Sequence, residues 1–439
     1  ITAVLLLITL DPLLGLGAWI ALAPFSVVWH LDIHLGAGIP DLALTRLALG
    51  WTLVLLVARA ALGQRRLLPV NALDIVMLIF AVGILLSTPT SLLGVTSAVQ
   101  GVFDAYLLPM FVYALARNLV QDARGARWTA AWVLLIGAYL AFFVLHEQIT
   151  GVALLAPDTV QFSYGTDLRR VVSLLGNPVF FGIPLAFAMV MAMAAFTWQT
   201  TLRGRVAMTV LAAVFAVAGF FTYNRASWLG LLLGAAVLSL YYRRWRQFLL
   251  PVVITAGLIL ALRWPEISQY PLVKERLLRE QSVDDRLNSV DVAVTLWQQN
   301  AVTGIGYANF GKVAVERGLL ARIPNYVPAP HNSYLFVLTS GGLVAGVPYI
   351  LVLLLMMFDL WRFERFRRRT HPPDVPHATV WRGLLAAAMA VVVIQVVTSA
   401  TYDAAMGTLT SLLFFLIIGT AYGLHQAERR RLTAAGTGP

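Results

Sequence analysis

The sequence predicts an all-α integral membrane protein, and three observations carry that prediction. Hydrophobic residues make up 59% of the 439-residue chain and charged residues only 12%, against roughly a quarter charged in a soluble domain. The apolar residues are gathered into runs close to the ~20 residues that a helix needs to cross a hydrocarbon core. No stretch shows the period-two alternation of an ordinary half-buried strand.

Twelve spans are expected in order: Ala3–Val28, Leu42–Leu62, Leu73–Thr88, Val99–Leu119, Trp128–Ile149, Val171–Trp198, Val206–Thr222, Ala226–Tyr242, Phe248–Trp264, Asn332–Phe358, Val380–Thr401 and Met406–Leu424. The corresponding organisation is nine spanning helices in 1–264, one large loop in 265–331, three more helices in 332–424 and a short tail in 425–439. No basic segment precedes the first apolar run, so no cleavable signal peptide is expected. The chain opens on Ile1, and its start is expected to lie upstream.

Basic residues orient the bundle. With the N-terminus inside, Arg59, Arg65, Arg117, Arg203, Arg243, Arg365, Arg429 and their neighbours fall on inside loops, and every short inside loop is basic, as cytoplasmic loops are. Both termini are therefore expected in the cytoplasm and the large loop outside. The net charge of +11 is then an orientation signal and an attraction to anionic lipid. Nucleic acid is not an expected partner, because no basic stripe is interleaved with aromatics. With no cysteine in the chain, disulfides and thiolate metal sites are excluded.

Within the outer loop, "DDRLNSVDVAVTLWQQN" sets Leu287, Val290, Val294 and Trp297 at helical spacing behind Asp284 or Asp285 as cap. It predicts an amphipathic helix lying on the mouth of the bundle. "TGIGYANFG" follows, but no strand precedes its glycines, so it is not a nucleotide loop.

Ionisable groups away from the inside face gather at the outer mouth: Glu147, Asp167, Arg169, Arg170, Arg225, Arg286, His331 and Asp403. The middle of the spans is nearly free of charge, which argues against an ion-coupled carrier. Arg225, in "TYNRASWLG" after Tyr223, sits where two apolar runs leave room only for a tight turn. It is either an arginine snorkelling to lipid headgroups or a phosphate grip assisted by the helix N-terminus behind it. Arg286 is either a local ion pair with its aspartates or a second clamp, and Arg169 and Arg170 add cations on the same side. His331, in "PAPHNSYLFVLTSGG", follows two prolines that fix the approach of the chain. Asn332 or Ser333 can cap the helix that carries Tyr334 inward. The ring either hydrogen-bonds at the interface or serves as a general base on a hydroxyl. His30 and His34 have i, i+4 spacing without an evident third metal ligand, and His146 beside Glu147 is a candidate lining pair.

Taken together, "RRVVSLLGNPVFFG", "TYNRASWLG", "DDRLNSVDVAVTLWQQNAVTGIGYANF" and "PHNSYLFVLTSGGLVAGV" occur in an order and spacing that resembles the O-antigen ligase and polymerase superfamily, over about Arg169 to Gly346. That resemblance implies a GT-C-like glycosyltransferase in the bacterial inner membrane, with its active site on the periplasmic face. It implies a donor glycan on undecaprenyl diphosphate and, in the ligase branch, a sugar hydroxyl of lipid A-core as acceptor. It implies two arginines and a loop histidine as key residues, which fall on Arg225, Arg286 and His331. Arg170 is a further phosphate contact, and Asn332, Tyr334, Tyr223 and Asp403 are supporting candidates. No metal or other cofactor is expected, since no carboxylate cluster suits magnesium and paired arginines can stabilise the leaving diphosphate. The ligase is favoured because "HQAERRRLTAAGTGP" is a short inside tail rather than an outer domain. A polymerase shares the donor, and a transporter or lipid flippase shares the helix count.

Overall fold

A computed structural model describes residues 1–29, 43–155, 161–162, 169–270, 273, 281–319, 329–370, 376–402 and 407–434. The helices are α1 (Thr2–Leu10), α2 (Pro12–Val28), α3 (Leu44–Ala61), α4 (Ala72–Leu85), α5 (Val95–Val102), α6 (Leu108–Leu119), α7 (Ala123–Thr150), α8 (Pro178–Phe196), α9 (Leu202–Phe221), α10 (Arg225–Tyr241), α11 (Arg243–Leu262), the short α12 (Trp264–Ile267), α13 (Gln281–Gln299), α14 (Phe310–Glu316), α15 (Ser333–Thr370), α16 (Pro376–Thr398) and α17 (Thr408–Ala434). A π-helical turn at Phe103–Leu107 joins α5 to α6. The strands described are β1 (Gln161–Phe162) and β2 (Arg169–Arg170), paired antiparallel with Gln161 opposite Arg170.

Nine of the described helical stretches are long and apolar enough to cross a membrane, with α5 through α6 counted as one. Three shorter apolar stretches, Pro12–Phe25, Ala72–Leu85 and Arg225–Tyr241, coincide with the first, third and eighth expected spans. The chain is thus an all-α, multi-pass membrane protein.

Several boundaries differ from the sequence expectation for physical reasons. The first span is two helices, because the Asp11 carboxylate caps a new helix by accepting from the amides of Leu13 (2.9 Å) and Leu14 (3.1 Å) and Pro12 is suited to a first helical position. The sixth begins at Pro178 rather than Val171, with Asn177 as its cap. The tenth runs to Thr370 and breaks at Gly342, whose φ of 59° lies in the left-handed region. Into that break docks the glycine-rich segment: Ile305 and Gly306 donate to the carbonyls of Thr339 (2.7 Å) and Ser340 (3.1 Å), and Leu343 donates to that of Ala301 (2.8 Å). "TGIGYANFG" is therefore a docking element for a broken helix.

The loop helix α13 exists, but its register differs. It starts at Gln281, so Asp284 lies inside its first turn rather than capping it. Leu287 is exposed, while Ser289, Val292, Ala293 and Leu296 are buried. Val292, Ala293 and Leu296 pack with Phe310 and Ala314 and against Leu335 at the start of α15. A small separate core thus ties the loop to the helix that follows His331.

At the centre of the bundle, α8 and α17 are buried along most of their length, whereas α11 has no buried residue. Helices in lipid gain little from apolar burial and associate through close packing of small residues. α10 follows that rule with a small-xxx-small pair: a Cβ at Gly230 or Gly234 would meet Ile394 of α16, at 3.2 and 3.1 Å. Charge inside the bundle is paired: Arg46 grips Asp104 with two bonds (3.1 and 2.6 Å), Arg117 bonds Asp74, and Tyr422 donates to Asp359 (2.9 Å).

Candidate active site

The turn carrying Arg225 is as tight as the sequence implies. Only Thr222, Tyr223 and Asn224 separate α9 from α10, and Tyr223 takes a φ of 51°. Such a conformation is uncommon for a bulky residue and needs support from its surroundings. Aromatic rings supply it: Tyr223 lies edge-on to Phe220 and Phe221 at 6.4 and 6.1 Å, and Trp228 stacks on Phe220 at 5.3 Å while donating to its carbonyl. Asn224 caps α10 by accepting from the Ser227 amide at 3.1 Å. Arg225 is the first residue of the helix and half-buried.

Arg169 and Arg170 are adjacent on an extended strand, so their side chains take opposite faces. Arg169 serves the scaffold, donating to the Gly151 carbonyl and lying 3.6 Å from the Glu147 carboxylate. Glu147 is fully buried and accepts from the amides of Val172 (3.2 Å) and Ser173 (3.1 Å) and from the Ser173 hydroxyl (2.6 Å). A buried carboxylate persists only when its oxygens are bonded. Glu147 is therefore an anchor for the strand exit rather than a lining partner of His146, which instead packs its ring beside Phe142.

His331 itself has a φ of 49° and follows the buried Ala329 and Pro330. The next residues hold it from below. Asn332 caps α15, accepting from the amides of Tyr334 (3.0 Å) and Leu335 (3.1 Å). Ser333 donates its amide to the Ser399 carbonyl (2.8 Å) and its hydroxyl to that of Tyr402 (2.7 Å), and the Tyr334 hydroxyl donates to the Val396 carbonyl (2.6 Å). Asn332 and Tyr334 thus fix a strained backbone, and Ser333, which the sequence offers only as an alternative cap, is part of the same clamp. Asp403, His30, His34 and Asp167 lie outside the described residues.

Electrostatics join the separate elements. Burial lowers the His331 pKa below its ordinary value, and the Arg286 and Arg170 cations lower it further. Desolvation likewise lowers Arg170, with Arg286 adding to it, and desolvation by the surrounding protein lowers Arg286, whose side chain still reaches solvent, with Arg225 adding to it. Arginine nevertheless stays charged at any ordinary pH. Groups from β2, the start of α10, α13 and the approach to α15 are therefore linked in a chain: Arg225 acts on Arg286, Arg286 on Arg170, and Arg286 and Arg170 disfavour the protonated form of His331. That arrangement favours an anion among the guanidiniums and leaves the ring able to accept a proton. Among the described residues, no group of three or more histidines and carboxylates is placed to hold a metal ion.

A comparison with curated proteins gives no match. Residues 207–350 match the family model described as O-antigen ligase. Arg225, Arg286 and His331 all fall inside that stretch, along with the broken helix and the loop docked in it, while Arg170 lies before it. Over residues 207–350, about a third of its length, the chain is thus similar to the O-antigen ligase family.

Proposed function

We propose that the protein is an O-antigen ligase, a glycosyltransferase that moves a glycan from undecaprenyl diphosphate to a sugar hydroxyl of lipid A-core at the periplasmic face of a bacterial inner membrane. The observation that carries this function is the placing of Arg170 and Arg286 close enough to His331 to act on its charge, with Arg225 acting in turn on Arg286. The match of residues 207–350 to the O-antigen ligase model supports a lipid-linked glycan as the substrate class. The basic character of the remote end of the bundle, with Arg362, Arg365, Arg369 and Arg429 around one cavity, supports cytoplasmic termini and an outer site.

In this chemistry Arg225 and Arg286, with help from Arg170, hold the donor diphosphate by charge-assisted, bidentate bonds. His331 accepts the proton of the acceptor hydroxyl as that oxygen attacks C1 of the sugar. The C1–O bond to phosphate breaks, and the undecaprenyl diphosphate leaves with the electron pair, its growing negative charge met by the arginines. In-line attack inverts the anomeric centre, and the guanidiniums take the place that a metal ion occupies in many glycosyltransferases. The loop 265–331 supplies Arg286 and the base, the start of α10 supplies Arg225, and Tyr223, Asn332 and Tyr334 hold their backbones in position.

Reconstitution tests this function. The purified protein with undecaprenyl-diphosphate glycan and lipid A-core, without added metal, is expected to give a lipid A-core product of higher mass. Longer lipid-linked glycan with unmodified lipid A-core would identify a polymerase instead, and movement of the donor across vesicles without covalent transfer would identify a flippase.

A further inference from the structure

A second concave site lies at the far end of the bundle from His331. Beyond its break at Gly342, α15 runs on to Thr370, and at 1.5 Å per residue that stretch carries its end roughly 40 Å from the break. Its last turns meet the start of α4 and the C-terminal half of α17 around a cavity of about 740 Å³, a size typical of small-molecule sites.

Arg362, Arg365, Arg369 and Arg429 line the cavity with Asp359, and the Asp359 carboxylate accepts from Tyr422 at 2.9 Å. Among the described residues none of these four arginines forms an ion pair. Their neighbours Arg367 and Arg368 are both engaged by Glu364, each at 2.8 Å. Four guanidiniums around one carboxylate leave the cavity with an excess of positive charge.

Two further observations point to an amphiphilic anion. His425 lines the cavity at 4% exposure, and its Nδ1 is buried without a hydrogen-bond partner while its ring stacks on Phe363 at 3.7 Å. A buried ring nitrogen in a cavity wall keeps its hydrogen-bonding capacity for a polar atom of a bound molecule. Beside it Phe358 and Trp361 are 51% and 43% exposed, with Arg362 over the first ring (5.6 Å) and Arg365 over the second (3.6 Å). Such stacking holds each guanidinium beside an apolar rim, the pairing that a charged headgroup with hydrocarbon attached would meet.

We propose that this cavity binds a phosphate-bearing anion, either the headgroup of an anionic lipid or free phosphate, between Arg362, Arg365, Arg369 and Arg429. A lipid would seat its phosphate among the guanidiniums and its chains along Phe358 and Trp361. The site is independent of the transfer chemistry at the other end.

The test uses full-length protein in detergent. Native mass spectrometry measures retention of phosphatidylglycerol against phosphatidylcholine, and calorimetry measures binding of inorganic phosphate alone. A lipid source predicts selective retention of phosphatidylglycerol that falls at least about fivefold in Arg365→Gln/Arg369→Gln, on the scale of one basic contact per lipid charge. A free-phosphate source predicts calorimetric binding lost in the same variant, without lipid selectivity. Arg429→Gln, on a different helix, should repeat the loss if the double variant folds poorly, and Arg368→Gln should leave binding unchanged. Equal retention of both lipids with no phosphate binding would overturn the proposal, as would binding that survives in both cavity variants.

Discussion

Two sets of arginines in the bundle are treated in opposite ways. In one set Arg117, 3% exposed, is saturated by Asp74, the Pro69 carbonyl and Gln426 (3.0 Å), and Arg367 is saturated by Glu364. In the other, Arg225 acts on Arg286 and Arg286 on Arg170. Cations neutralised inside the protein hold helices together, whereas cations facing one another store repulsion that an anionic ligand relieves. The same residue type is structural in one place and poised for binding in the other, and the difference is legible only from its neighbours.

The largest expected effect separates chemistry from backbone at the mouth. Asparagine tolerates the left-handed conformation of His331, so His331→Asn should fold and keep its melting temperature while transfer falls by about 10²–10⁴-fold, the contribution of a positioned base. Retained transfer in His331→Asn, measured with saturating donor, would reject the base.

Next in size is the pair of Arg117 and Asp74. Arg117→Ala leaves Asp74 without its cation; because that carboxylate is 21% exposed, the loss should fall below the roughly 3–5 kcal/mol of a fully buried pair, and thermal unfolding in detergent should still record it. The same truncation at Arg286 removes repulsion and should leave the melting temperature unchanged or slightly higher. If the two truncations destabilise equally, the contrast between the two sets disappears.

A smaller effect concerns pH. Because burial and then Arg286 and Arg170 push the His331 pKa below 6.5, the neutral ring persists into mildly acidic solution, and the acid limb of kcat/KM should lie below pH 6.5. Arg286→Gln removes one of those cations, so its limb should move up toward 6.5 and the variant should lose more activity at pH 6 than at pH 7.5. The sign for stability agrees: between the folded and unfolded values the unfolded chain binds the extra proton, so stability rises with pH through that window and is full above 6.5. An acid limb that does not move in Arg286→Gln would dissociate the ring from the arginines.

The smallest effect is expected on the surface. Arg263 and Glu266 pair at 2.7 Å with side chains 63% and 65% exposed, and such pairs contribute under about 1 kcal/mol. Arg263→Ala should leave both melting temperature and transfer unchanged, which calibrates the larger losses.

Much of the fold was legible in the sequence because lipid imposes long apolar runs. The turn carrying Arg225 was legible for a related reason: two such runs leave almost no residues between them. What escaped was punctuation within apolar runs. Hydropathy passes unbroken through Asp11–Pro12 and through Gly342, and only capping bonds and a docked loop reveal those breaks. The register of α13 escaped because its buried face is built from Ser289 and Ala293 as much as from larger residues, so a search for bulky periodicity selected Leu287 instead. Glu147 escaped because a carboxylate at the outer end of a helix looks solvated, and its four bonds come from residues far along the chain.

The most direct test of the opposed-arginine site is the affinity of purified protein for undecaprenyl-diphosphate glycan, measured without acceptor and without added metal. Loss of one charge-assisted phosphate contact, about 1.5–3 kcal/mol, predicts that Arg286→Ala binds the donor at least about tenfold more weakly than wild type while Arg365→Gln, at the other end, binds it equally well. Equal donor affinity in wild type and Arg286→Ala would contradict the account.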